Sequence, residues 1–405
     1  MVDTDFLKNQ EVVEFIKENA CADVNQLILN PPLPWQEKIG YIADQIISRK
    51  KAKGKLSDWV DNYHLIFPPP ISIEQASSSF TSEYKKSLIK GAALIDLTGG
   101  TGIDCLSLSE NFENTTYVEQ NADLCQLFKH NSGILQKKIS TINSDANSFL
   151  SSFNGSATFF IDPARRNAFE KKVFKLEDCA PNILKLIPEL RKKANNLLIK
   201  LSPFIDLKDA VKKIAHVKEA HILSIKNDCK ELLLLVDFTY SESLKIHAVN
   251  LLTDQPTFVF DPEKEKKSET GFGQVSTYLY EPNASILKAG AFKSTGKAYG
   301  INKIARNTHL YTSDDAVENF PGRIFKVLSR DGKRDLDRYA PRKKINVTTR
   351  NYTTDASSLK KKFNLQDGGE NFLIGFKDQN NKPILIIAKR LFRFNPDFKT
   401  WLKVT

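Results

Sequence analysis

Apolar residues recur every three or four positions from the start of the chain to about Ile66. VVEFIKENA (Val12–Ala20) and the run Trp35–Ile47 both carry this spacing, separated by the breaker Asn30-Pro31-Pro32-Leu33-Pro34. This predicts an N-terminal helical region, here taken as 1–74, which Phe67-Pro68-Pro69-Pro70 interrupts firmly. From Ala92 the period changes. Short apolar runs (AALIDL, TTYVEQ, ISTINSD, ATFFIDP and NNLLIKLSP) alternate with helical stretches (IDCLSLSEN, ADLCQLFKHNSGILQKK, Pro181–Lys193 and DLKDAVKKI). Such alternation predicts an α/β domain with a mostly parallel sheet over 75–262. The runs AHILSIK and ELLLLVDF lie only four residues apart, around Asn227-Asp228-Cys229-Lys230. So short a link forces an antiparallel hairpin, placed at the end of the sheet.

Pro262 to Thr270 is charged and turn-rich and reads as a connector. Beyond it, ASILKAGAF, KAYGI and NTHLYTS predict a small α+β unit over 271–319. NFLIGF and PILIIAKRLF predict a β-rich module over 320–405. No internal repeat is evident.

Composition narrows the class. Apolar residues make up 41% and charged residues 26%, a globular balance. The longest apolar runs, such as Leu232–Val236 and Ile384–Ala388, are far too short to span a membrane. With no basic–apolar–small order at the N-terminus, a cytoplasmic protein is expected. The cysteines Cys21, Cys105, Cys125, Cys179 and Cys229 contain no CxxC and read as small apolar side chains. None of the six histidines pairs at metal-ligand spacing, so no metal is expected. The formal charge is +11, and the excess is local: 320–363 holds thirteen Lys or Arg against four Asp, with aromatics interspersed. That pattern suits a polyanion such as RNA, or simply a solvated loop.

The candidate chemistry begins at Asp96-Leu97-Thr98-Gly99-Gly100-Thr101-Gly102, a loop between a strand and a helix. Glycines there let a backbone approach a ligand closely, although a tight turn without ligand would use them too. The third glycine of a dinucleotide fingerprint is missing, because Cys105 stands in its place. Asp96 would repel a pyrophosphate and suits the ammonium group of a methionine moiety. Glu119, at the next strand end, can accept both ribose hydroxyls, and Asp145-Ala146 ends the third strand where a carboxylate can accept from an adenine amine. Each acid alone has a bland reading; three acids at successive strand ends form a pattern.

ASSSFTSEYKKSLIKG, DLTGGTGID, DPARR, KLSP and NDCKELL, in that order, resemble bacterial class I methyltransferases with a C-terminal THUMP-like domain. YLYEPNASILKAGAF, NTHLYTS and FPGR resemble the ferredoxin-like unit that precedes that domain in the same proteins. The resemblance implies a Rossmann-like methyltransferase sheet, S-adenosylmethionine as cofactor, and methylation of an RNA, tRNA or rRNA. Asp162-Pro163-Ala164-Arg165-Arg166 stands where nucleic-acid methyltransferases carry [D/N]-P-P-[Y/F/W]. There the acid and the following carbonyl hold an amine toward the methyl group, which favours a base nitrogen as acceptor. Asp162, Pro163 and Arg165 are thus catalytic candidates, and Asp162 also a cofactor contact.

Arg165 replaces the stacking aromatic and can stack through its guanidinium or, with Arg166, clamp a phosphate. That departure keeps open a second reading, an RNA-binding protein that retains the cofactor fold without turnover. Lys200 and Ser202 of Lys200-Leu201-Ser202-Pro203 read as substrate contacts or as a plain strand-ending turn. Phe80, Thr81 and Lys85 read as a cover on the cofactor or as packing. Arg342, Lys343 and Lys344 are the expected RNA contacts. Carbon methylation of pyrimidines needs a cysteine nucleophile, and neither the fifth strand nor Cys179 supplies one with a base partner. A nicotinamide oxidoreductase fits neither the missing glycine nor the hairpin.

Overall fold

The computed structural model describes residues 2–164 and 175–391, which fall into two compact units. Arg165 and Arg166 lie outside the described residues. The first unit comprises 1–218 and 233–241, the second 219–232 and 242–405.

In the first unit the runs of alternating period become β1 (Gly91–Asp96), β2 (Phe112–Glu119), β3 (Ser140–Asn143), β4 (Ala157–Ile161) and β5 (Ala194–Leu201). They lie in the order β3-β2-β1-β4-β5, every pair parallel. Because β1 sits between β2 and β4, its end at Asp96 meets the ends of both, opposite Tyr117 and Phe160. This is a Rossmann-like arrangement with a central first strand; in such sheets ligands bind at the carboxyl edge, where the strand order reverses.

The N-terminal helices pack on this unit through Leu7, Val12, Ile16, Ile39, Ile42, Ile46 and Ile66, which cluster with Leu127 of the helix Ala122–Ile134. Of two side-chain amides, one holds the N-terminal region together and the other crosses to the helix Ala122–Ile134. Gln45 exchanges hydrogen bonds with the Phe67 backbone, and Asn131 with that of Ile66. Arg49 is buried and donates to the carbonyls of Val60, Asn62, Tyr63 and Leu65. Burial lowers its pKa to about 10, and four carbonyl acceptors replace the water it loses.

The second unit holds most of β6 (Val217–Ile225) and of β7 (Asp228–Val236); the first two residues of β6 and the last four of β7 belong to the first. The link is two residues, Lys226 and Asn227, both at positive φ, the backbone of a tight hairpin turn. It is shorter than the four residues expected. β8 (Lys245–Leu251) pairs parallel with β6, and β9 (Phe258–Phe260) antiparallel with β8, so the sheet continues past the hairpin. Nor is the charged stretch from Pro262 a loose connector. Asp261 caps a helix Pro262–Lys267, whose Glu265 accepts from the amides of Lys293 and Ser294.

A further seven-stranded sheet follows, from β10 (Tyr278–Pro282), β11 (Asn302–Lys303), β12 (Tyr311–Ser313), β13 (Gly322–Ser329), β14 (Asn346–Arg350), β15 (Asn371–Lys377) and β16 (Pro383–Leu391). Its order is β11-β12-β10-β13-β16-β15-β14, and β14–β15 is a parallel pair. The helical stretch ASILKAGAF ends its first helix, Ala284–Ala289, at Gly290, which takes φ +76° before a second helix, Phe292–Tyr299. Among the described residues no helix is long and apolar enough to cross a membrane.

Candidate cofactor site

Three acids that stand apart in sequence are tied to one three-residue stretch of loop. Asp96 accepts from the Thr98 amide (3.0 Å), Glu119 Oε2 accepts from the Gly100 amide (2.9 Å), and the Asp162 amide donates to Thr98 Oγ1 (2.7 Å). Parallel pairing of β1 with β2 and β4 produces this convergence. The other Glu119 oxygen accepts from the Asn121 amide (2.8 Å), which fixes the carboxylate while leaving lone pairs on both oxygens.

The glycines divide by role. A Cβ at Gly99 would fall inside the Tyr117 ring, and one at Gly102 inside the Phe128 ring. Those rings stack at 3.8 Å beneath the loop, and Tyr117 donates to the Gly100 carbonyl (2.7 Å). Gly99 and Gly102 are therefore required by the aromatic floor rather than by a ligand. Only Gly100, at φ +53° with no neighbour nearer than 3.7 Å, leaves the open backbone expected of all three. Gly102→Ala, which also requires a side chain at φ +76°, is expected to cost about 1–3 kcal/mol of stability. An unchanged urea midpoint would show that Phe128 yields freely.

Beside the loop lies a buried charge cluster that sequence reasoning largely missed. Asp104, 8% exposed in the first turn of the helix Ile103–Leu108, meets Lys85 Nζ (3.1 Å) and Lys200 Nζ (3.3 Å). It also accepts from Ser77 Oγ and Ser82 Oγ, each at 2.7 Å. Lys200 continues to Asp162 at 2.6 Å. Burial opposes ionisation of Asp104, but the two ammonium groups and two hydroxyls outweigh it and hold its pKa below the usual carboxylate range. For Asp96, burial followed by repulsion from Asp104, Asp162 and Glu119 pushes the pKa well above that range. Asp162 is also raised, by desolvation that Lys200 opposes; yet its side chain keeps 38% of its surface, so the loss of water there is partial. Asp104 and its serines sit inside the quoted segments DLTGGTGID and ASSSFTSEYKK, so the signal was present but unassigned.

Of the other candidates, Asp145 is exposed and caps the helix Ala146–Ser152, its Oδ1 accepting from the Asn147 and Ser148 amides at 3.0 Å. Capping alone accounts for that carboxylate, while Ala146 is buried beside it. Ser202 accepts from the Phe204 amide (3.2 Å), a turn role, whereas Lys200 belongs to the charge cluster. Thr81 and Lys85 are buried and Phe80 is 42% exposed. Pro163 follows β4, and Ala164 exchanges backbone hydrogen bonds with Ala180. Burial pushes the Cys179 thiol up to about 11, away from thiolate chemistry. Cys21 is exposed rather than an apolar filler.

In the second unit Arg342, Lys343 and Lys344 are all exposed, the first two at positive φ. Several cations of the basic segment are matched internally: Arg323 and Arg350 pair with Glu281, Lys343 with Asp337 and Lys360 with Asp367. Two histidines do meet, contrary to the spacing argument. His221 and His247 stack with centroids 4.4 Å apart, because parallel strands β6 and β8 place them in register.

The first unit carries a Rossmann-like α/β sheet, and ferredoxin-like and THUMP-like domains follow it in the sequence. Residues 278–321 match the family model of a ferredoxin-like domain and residues 322–390 that of a THUMP domain-like family. Over nearly its whole length the chain is similar to a provisionally assigned methyltransferase from Porphyromonas gingivalis W83. The two share 29% identity over 97% of this chain and 100% of that one, with a TM-score of 0.85. TrmK of M. capricolum, solved with S-adenosyl-homocysteine, is 14% identical over 43% of this chain and 73% of its own (TM-score 0.32). No curated protein sequence matches the chain.

Proposed function

We propose that the protein is an S-adenosylmethionine-dependent methyltransferase that acts on RNA, by direct transfer to a base nitrogen. The observation that carries this reading is the charge of the crevice. Among the described residues, Asp96, Asp104, Glu119 and Asp162 gather with two cations, Lys85 on Asp104 and Lys200 on Asp104 and Asp162. An anionic pyrophosphate is disfavoured there, and a ligand bearing an ammonium and a sulfonium supplies the missing positive charge. The residues fit that group: the open Gly100 backbone for close approach, Glu119 with lone pairs for the ribose, and Asp96 as a buried carboxyl beside the loop.

When bound, the donor supplies an electrophilic methyl group. Asp162 then does the work of orientation. Lys200 Nζ holds Oδ2 at 2.6 Å, and Oδ1 with the Pro163 carbonyl accepts hydrogens from the acceptor amine. The amine lone pair is thereby aimed, and positioning supplies much of the rate. Similarity to a provisionally assigned methyltransferase and to a THUMP-like domain supports methyl transfer and an RNA substrate, respectively.

The test uses untagged protein with methyl-labelled donor and bulk cellular RNA, read by nucleoside mass spectrometry. A methylated base nitrogen is expected. Absence of calorimetric heat with either the donor or its demethylated product sinks the reading. Neutralising Arg342, Lys343 and Lys344 should weaken RNA binding, each lost phosphate contact lowering the log–log salt slope by roughly 0.7–0.9. An unchanged slope would place that run outside the interface.

A further inference from the structure

Three side chains of the second unit converge on one face of the sheet, and the cofactor site uses none of them. Glu219 and His221 stand two residues apart on β6 and so project to the same side. The parallel register sets His221 against His247 on β8. Glu219 Oε2 lies 3.2 Å from His221 Nε2 and 3.8 Å from His247 Nε2, and one donor atom from each residue falls within 4.8 Å of the others. Ser224 alternates to the opposite face, where it meets Ser285 at 2.7 Å. His221 is 2% exposed, whereas the side chains of Glu219 and His247 keep 26% and 23% of their surface, so one side of the cluster is open to ions.

We propose that Glu219, His221 and His247 form a binding site for a divalent late transition ion of the Zn2+ class. Two imidazoles and one carboxylate are the donors such ions prefer, and they disfavour the oxygen-seeking Mg2+ and Ca2+. With bonds of about 2.0–2.2 Å, tetrahedral donors stand roughly 3.3 Å apart. The Glu219–His221 distance meets this, and the Glu219–His247 distance needs a contraction of about half an ångström. The rings lie only 22° from parallel, so His247, the more exposed, turns to bring its lone pair onto the ion. Three protein donors leave a fourth position for water. The ion ties β6 to β8 at a point where their backbones already pair.

The test is metal uptake by the full, untagged chain after stripping with a chelator. Zn2+ is titrated in competition with a chromophoric chelator, and Co2+ is followed by its visible absorption. One ion per chain is expected, with a low-symmetry Co2+ spectrum that reports nitrogen ligation. His247→Ala and Glu219→Gln should each lower affinity by more than the roughly 10–100-fold that loss of an outer-shell partner costs. Both are chosen over His221, whose burial makes its replacement a folding risk. Should His247→Ala fail to fold, Glu219→Gln, which keeps the side-chain shape, decides alone. The proposal is overturned if stripped protein takes up no ion, or if the folded variants bind as tightly as the parent. In those cases Glu219 is only a hydrogen-bond acceptor between two imidazoles.

Discussion

Replacing Asp104 with alanine is expected to destabilise the protein by about 3–5 kcal/mol, because two buried ammonium groups would lose their shared counter-charge. Lys85 is 0% exposed and Lys200 8%, so neither can recover water without local unfolding. Lys200 would keep Asp162 as a partner, and Lys85 would keep its contact with Ser77 Oγ at 3.0 Å. Asp104→Asn retains acceptors for Ser77 and Ser82 and should fall between. Urea unfolding at neutral pH reads the effect, and a midpoint equal to the parent's would mean that the cluster contributes nothing net. The pH dependence has a definite sign. The Asp104 pKa is lower in the folded than in the unfolded chain, so its contribution is complete above the ordinary carboxylate value. It is lost as pH falls below that value toward the depressed one. The parent should therefore lose stability through that acid window more steeply than the alanine variant.

Asp162→Ala is expected to lower methyl transfer by about a hundredfold or more while leaving donor affinity within a few-fold. The first part follows from removing a charged hydrogen-bond acceptor, worth roughly 1.5–3 kcal/mol, together with the orientation it imposes. The second follows because Asp162 reaches the glycine loop through its amide, which donates to Thr98 Oγ1 and survives the substitution. The stability cost should stay below that of Asp104→Ala, since the Asp162 side chain is 38% exposed and Lys200 retains Asp104. Single-turnover transfer and calorimetry separate the two effects. Transfer at the parent's rate would remove Asp162 from the mechanism; a matching loss of donor affinity would make it a binding residue.

The amino-acid sequence by itself determined the local and nearest-neighbour features: the helical start, the five alternating strands, the glycine loop and the acids at their strand ends. Each depends on a periodicity, a breaker or a short spacing that a single segment carries. Parallel strands always end at one edge, so Asp96, Glu119 and Asp162 could be placed near one another before their contacts were known.

Only the tertiary structure decided what depends on which strands become neighbours. Tyr117 and Phe128 stack beneath the loop and impose Gly99 and Gly102, although neither ring is adjacent to those glycines in sequence. Lys85, Asp104 and Lys200 come from two helices and a strand, and no spacing rule links positions 85 and 200. His221 and His247 meet because β8 joins β6 in parallel, a pairing set by burial of both strands rather than by any motif. Long-range register is chosen by the whole core at once, and for that reason it is not written in any one stretch of the chain.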